Sequence, residues 1–263
     1  MGLNVTYKGS QIAQLTEDGN LKLETAGKYC EGDIELAYSG GGGVDWDDFI
    51  SHSIPDGPLV LDTSTNIPNS IFISCSNITS LSAPLVTSIG NNSFQYCNGL
   101  MTLNLPIVET IGSSAFERCW RVRGGTFPQL TTINTNGLYG CGQLAGDDGG
   151  IWVFPKLATL GSDALRQIKA DKVDIGPDLA YLPNRTFYNQ QVYELILRRT
   201  AGVVAPSRAD SIFSITSESK VYVPADLISS YEQETNWSTK GSIFYAIEGS
   251  QYEHYYADGT PIE

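Results

Sequence analysis

Asn91-Asn92-Ser93-Phe94-Gln95-Tyr96-Cys97-Asn98-Gly99-Leu100-Met101-Thr102-Leu103-Asn104-Leu105-Pro106-Ile107-Val108-Glu109-Thr110-Ile111-Gly112 is the stretch that decides the fold. The 22 residues before it, Asn69 to Gly90, put Phe72, Cys75, Ile78, Leu81, Ala83-Pro84, Val86 and Ile89-Gly90 in the same slots. The next unit, Ser113 to Asn134, repeats them with Phe116, Cys119, Val122, Phe127-Pro128, Leu130 and Ile133. A fourth unit carries Leu138 and Cys141, a five-residue Gly/Asp insertion around Gly146–Gly150, then Phe154-Pro155 and Leu160-Gly161. A fifth keeps Leu165, Ile168, Pro177 and Leu182; a sixth starts at Asn184 with Phe187, and Phe213 opens a last partial unit. Apolar residues at fixed offsets cannot be buried by one unit alone. Stacked units bury them together, so the period predicts a solenoid with one continuous core.

The pattern Ser/Ala-Phe-x-x-Cys-x-x-Leu-x-x-Leu-x-Leu-Pro-x-Val/Leu-x-x-Ile-Gly resembles the BspA-like, or treponemal-type, leucine-rich repeat over roughly residues 67–209. The resemblance implies an α/β leucine-rich-repeat solenoid of short parallel strands and short helical turns. Leu100-x-x-Leu103-x-Leu105 is then a strand of the parallel inner sheet, which Pro106 ends because proline cannot donate to a ladder. Ile111-Gly112 leads into a short helical turn bearing Phe116 and Cys119. Successive coils are expected about 4.7–4.9 Å apart, the ordinary strand spacing.

The flanks read differently. Residues 1–38 alternate between apolar and polar positions and are punctuated at Lys8-Gly9 and Asp18-Gly19, which predicts a small antiparallel β module. Thr6-Tyr7-Lys8-Gly9 through Asp33-Ile34 is similar to a short domain of virion and tail-region proteins in phages of Gram-positive bacteria. Residues 39–43 are a flexible Gly linker. Residues 44–66, with the amphipathic Asp45-Trp46-Asp47-Asp48-Phe49-Ile50, are expected to cap the first coil, since an open end would expose the core. Residues 210–248 read as strand, helix and turn, and resemble the C-terminal cap of BspA-like proteins. Residues 249–263 read as a hairpin turning at Asp258-Gly259.

Composition narrows the chemistry. With 16 Lys+Arg against 29 Asp+Glu the net charge is −13, the reverse of a nucleic-acid footprint or polybasic membrane anchor. No apolar run reaches the roughly 18–20 residues of a membrane span. With Met1 as the start, neither an export signal nor an anchor is expected. Two histidines, His52 and His254, have no nucleophile motif beside them, and no G-x-S-x-G or P-loop occurs. Paired carboxylates could cleave a glycan without histidine, but nothing nominates a pair. We expect no catalytic residues. Cys75, Cys97, Cys119 and Cys141 lack the close C-x₂-C pairs of zinc sites, and Ile168 fills the same slot one coil on. They read as free core thiols. Asp45/Asp47/Asp48 and Asp147-Asp148 lack the donor set of a calcium loop. No metal or cofactor is expected.

What remains is surface. Met101, Arg121, Arg123, Trp152 and Tyr193 are read as outward positions of the inner strands, with Tyr96 and Trp120 beside the Cys slot. Aromatic and Arg side chains on an ordered surface are the usual anchors of a protein or glycan contact. These seven are the candidate partner-binding residues. The expected protein is a non-enzymatic virion component (tail fibre or decoration) that recognises a host cell-surface glycan or protein through the solenoid. It would contact other virion proteins through the N-terminal module and could form homo-oligomers. The alternatives are a bacterial cell-surface adhesin of the same repeat class and, behind it, a wall-glycan hydrolase.

Overall fold

The computed structural model of the chain describes residues 4–7, 10–15, 21–23, 57–61, 64–142, 150–189 and 192–262. Asn4–Tyr7, Ser10–Leu15 and Leu21–Leu23 form an antiparallel three-stranded sheet. The remainder of the expected 1–38 module, the Gly linker, the helix over Asp45–Ile50 and the Asp147-Asp148 insertion lie outside the described residues.

From residue 57 onward the chain is a parallel-strand solenoid. Each coil contributes a strand to a main sheet, turns a corner at proline, adds a two-residue strand to a second ladder and returns through a run of turns. The main sheet begins upstream of residue 67, because Gly57–Val60 pairs in parallel with Ile78–Ser82, which pairs with Thr102–Asn104. Gly124–Thr126, Gly150–Phe154, Ala170–Ile175, Val192–Leu197, Lys220–Val223 and Phe244–Ala246 form a six-stranded parallel sheet next in line, linked to the first by Arg123 N–H to Met101 C=O at 3.2 Å. The expected cap region thus supplies two more strands of the same sheet.

Ile111-Gly112 does not lead into a helix. Thr110–Ile111 is a strand, flanked in parallel by Ser88–Ile89 and Thr132–Ile133. The isoleucine points into the core while the glycine is set by contact between coils: a Cβ on Gly112 would lie 2.7 Å from the backbone of Gly90 and Ile89.

The segments expected to be short helical turns are also not helices. Two residues four apart in each coil adopt positive φ: Asn92 and Tyr96, Ser114 and Arg118, Asp163 and Gln167, Arg185 and Asn189. Positive φ interrupts the helical hydrogen-bond pattern, so alternate N–H groups turn toward the next coil. Asn92, Phe94 and Tyr96 donate to the carbonyls of Ser113, Ala115 and Glu117, and Ser114, Phe116 and Arg118 donate one coil further on. Residues between and after them close tight i→i−3 turns, as Gln95 N–H does on Asn92 C=O and Cys97 N–H on Phe94 C=O. All three sides of the coil are therefore hydrogen-bonded to their neighbours, and main-chain groups find partners without a helix.

The interior follows the repeat. Phe72, Phe94 and Phe116 stack with ring centroids 4.9 and 5.2 Å apart, the spacing of the coils themselves. Cys97, Cys119 and Cys141 are buried and free, and each does more than fill space. Their thiols donate to the carbonyls of Phe72, Phe94 and Phe116, at 3.0, 3.0 and 3.3 Å. Burial pushes the Cys119 and Cys141 thiols far up, so they stay protonated and able to donate. At the C-terminal end Ile212 fills the core slot that the sequence assigned to Phe213, which is instead exposed against Tyr188. The helix Ile228–Gln233 and the turn Trp237–Lys240 close the core with Tyr231 and Trp237. Tyr231 Oη accepts from Val204 N–H and the Trp237 indole donates to Val204 C=O, both at 2.9 Å.

Candidate binding face

Strand alternation sends successive side chains of each main-sheet strand to opposite faces. The inward column runs Leu59, Leu81, Leu103, then Gly125, Trp152, Val173, Leu195 and Val221. From the sequence, Trp152 is expected at an outward contact position. It is fully buried in the core, and its indole donates to Lys169 C=O at 3.2 Å. The register explains the error. Trp152 pairs with Gly125, and it lies two 22-residue repeats plus the five-residue insertion beyond the inward Leu103. Gly125 leaves space in this column, and the Phe127 and Trp152 rings occupy it 6.4 Å apart.

The outward column next to it changes character along the array. In the N-terminal half it reads Ser82, Asn104 and Thr126, with Asn104 Nδ2 donating to Ser82 Oγ at 3.0 Å. In the C-terminal half it reads Val153, Asp174, Ile196 and Tyr222. Outward apolar residues need a cover, and residues 247–257 provide it. Ile247, Tyr252 and Ala257 pack on Val153 and Ile196.

A buried ion pair fastens this strap. Arg198 donates to both oxygens of Asp174 at 2.7 and 2.8 Å and to the carbonyls of Tyr252 and Tyr255, each at 2.9 Å. Ala257 N–H donates to the same carboxylate at 2.8 Å. Burial pushes the Asp174 carboxyl up, against the pull of Arg198. Farther along, Tyr252 donates to Glu194 and Asp258 accepts from Thr126. The sequence carried a signal for this strap that the sequence reading missed: Val153 and Ile196 are apolar at outward positions.

The strap divides the seven candidate residues. Met101 and Arg123 occupy equivalent places in adjacent coils, joined by Arg123 N–H to Met101 C=O at 3.2 Å. Arg121 and Arg123 are exposed, and Trp120 and Met101 half-buried, on the end of the array beyond the strap's hydrophobic contacts. Tyr193 is exposed beside a groove of about 400 Å³ lined also by Asp171, Lys172, Glu194, Glu218 and Lys220. Tyr96 belongs to another face. It begins an alternating stack on the turn runs: Arg118 lies over the Tyr96 and Tyr139 rings at 5.5 and 5.8 Å, and Arg166 over Tyr139 and Tyr188 at 5.1 and 5.3 Å. Arg118 and Arg166 are also paired with Glu117 and Asp163. The ring faces are thus occupied by the chain's own guanidinium groups. Among the described residues no group of three or more His, Cys, Asp or Glu side chains could hold a metal ion.

Residues 65–194 match the BspA type leucine rich repeat region in six copies. The chain belongs to the BspA-type leucine-rich repeat proteins. The match spans the coils whose Phe, Cys and Ile-Gly slots build the core. A leucine-rich repeat protein of T. pallidum is similar in structure at 18% identity and a TM-score of 0.42, over 70% of this chain and 82% of that one. A leucine rich cell surface protein from Faecalibacterium prausnitzii A2-165 is similar at 13% identity and a TM-score of 0.35, over 95% and 96%. No curated protein matches the chain. No described helix is long and apolar enough to cross a membrane.

Proposed function

We propose that this BspA-type protein is a non-catalytic recognition module whose open outward face docks on a cell-surface glycan or protein, with Met101, Trp120, Arg121 and Arg123 as the contact patch. The observation that carries this reading is the contrast along one face of the solenoid. Where the outward column is apolar, the chain covers it with its own strap. The other end presents two exposed arginines beside a half-buried Trp and Met, on a chain of net charge −13. Trp and Arg are the side chains that most often dominate contact energies, and local cationic charge favours an anionic partner. Tyr193 and its groove form a second, smaller contact region on the same reading.

The test is binding of the purified protein to Gram-positive cells, peptidoglycan and teichoic acid. Trp120→Ala with Arg123→Ala should lower retention on at least one of these at least tenfold while the melting temperature stays within about 2 °C, the change of a surface substitution. Retention equal to the parent on every surface retires the patch. Product analysis of the same incubations exposes any hydrolase activity, which would overturn the non-catalytic reading.

For the setting we propose a phage particle, with the bacterial cell surface as the second reading. The first rests on the likeness of residues 6–34 to a virion module, the second on the repeat class itself. Mass spectrometry of purified particles and of washed cell envelopes decides between them; absence from particles removes the first.

A further inference from the structure

The thiol ladder is uniform in its slots but not in its exposure. Cys97, Cys119 and Cys141 are completely buried, whereas Cys75, in the preceding coil, is only half-buried and its thiol faces the Ile73 carbonyl at 3.7 Å. Cys75 and Cys97 are in register. They occupy the same slot of adjacent coils, between the Phe72–Phe94 stack at 4.9 Å and the hydrogen bond from Met101 N–H to Thr79 C=O at 2.8 Å. Coils this close bring equivalent Cα atoms within the span that a disulfide bridges.

We propose that Cys75 and Cys97 are a redox-active pair: Cys75 is the thiol that reacts with low-molecular-weight disulfides, and Cys97 resolves the product into an intrachain Cys75–Cys97 disulfide. The adjoining Cys97 side chain holds the Cys75 thiol below its ordinary pKa, against the opposing effect of its own burial. The thiolate is the nucleophile in exchange, so access and charge select the same sulfur.

The step balances without a metal. The Cys75 thiolate attacks one sulfur of a small disulfide R–S–S–R, the S–S bond breaks, and RS⁻ leaves. Cys97 gives up its proton to the departing thiolate. Its sulfur then attacks the Cys75 sulfur of the mixed disulfide and expels the second RS⁻. Two protein thiols are oxidised and one R–S–S–R is reduced to two R–SH. Cys119 and Cys141 are excluded on geometry: both are fully buried, and neither lies in the coil next to Cys75. The bond would staple two adjacent coils at the N-terminal side of the thiol ladder.

The test uses the full chain. Native protein is alkylated with iodoacetamide over a time course and digested with chymotrypsin, which cuts at Phe94 and Tyr96 and so separates Cys75 from Cys97; Cys30 is read on its own peptide. Cys75 should label at least tenfold faster than Cys119 and Cys141, as thiolate character and access dictate. Incubation with oxidised glutathione should then produce a Cys75–Cys97 linked peptide pair, reversible by dithiothreitol. Cys97→Ser should stop the reaction at the Cys75–glutathione adduct, and Cys75→Ser should leave Cys97 unmodified. Equal labelling of Cys75 and the buried thiols overturns the proposal, as does a wild-type protein that accumulates only the glutathione adduct. Because the wild-type map alone carries a decisive outcome, a variant that fails to fold does not shelter the idea.

Discussion

Replacing Arg198 by Met tests the strap most directly. The substitution keeps much of the side-chain volume but removes four hydrogen bonds, two to Asp174 and two to the carbonyls of Tyr252 and Tyr255. Asp174 has no exposed side-chain surface and Arg198 only 9%, so water cannot replace what is lost. The Asp174 carboxylate keeps the Ala257 N–H and no cation. Breaking a buried pair by removing one partner costs about 3–5 kcal/mol. For a chain of this size that corresponds to a melting temperature lowered by about 10 °C. The assays are thermal and urea denaturation, with hydrogen exchange of residues 252–262 read by mass spectrometry. Exchange in this segment should accelerate in Arg198→Met before global unfolding, because the strap loses its fastening while the coils keep theirs. The double variant Asp174→Leu/Arg198→Met separates charge burial from anchoring. It should recover most of the lost stability, since apolar pairs replace buried ion pairs well. Strap exchange should stay fast, because the Tyr252 and Tyr255 carbonyls and the Ala257 N–H still lack partners. A single variant costing less than about 1 kcal/mol, the range of exposed pairs, with unchanged strap exchange, would refute the reasoning.

Three further outcomes follow from other parts of the structure. Trp152→Ala should cost about 3–5 kcal/mol by urea denaturation, the range for emptying a large core site, whereas an exposed Trp would cost under about 0.5. Burial pushes the Tyr231 hydroxyl from 10.0 up to about 12, so its stabilising contribution is complete below pH 10 and lost as pH rises through about 12. Alkaline unfolding should steepen in that window; Tyr231→Phe should flatten this step while costing about 1–3 kcal/mol at pH 7, because Val204 N–H is left without its partner. Gly112→Ala should destabilise by more than about 2 kcal/mol in thermal melts. Its Cβ would meet backbone rather than a movable side chain, and such strain belongs to the severe class of substitutions.

The 22-residue period determined the solenoid, its core slots and the burial of Phe94, Phe116, Cys97 and Cys119, because each coil must bury the same positions against its neighbours. Local pattern did not reveal how the return segment is built. Ser, Asn and Arg at positions such as Ser114, Asn136 and Arg118 accept positive φ because hydrogen bonds from adjacent coils hold them there. The side of the sheet on which Trp152 lies was readable in principle, but the five-residue insertion displaced the count. Which part of the outward face is open was decided only by the tertiary structure. Residues 247–257 return across strands formed some 50 to 100 positions earlier, and the Arg198–Asp174 pair that receives them depends on contacts of long sequence separation. A repeat pattern records what every coil shares; a strap that crosses several coils once leaves no periodic trace.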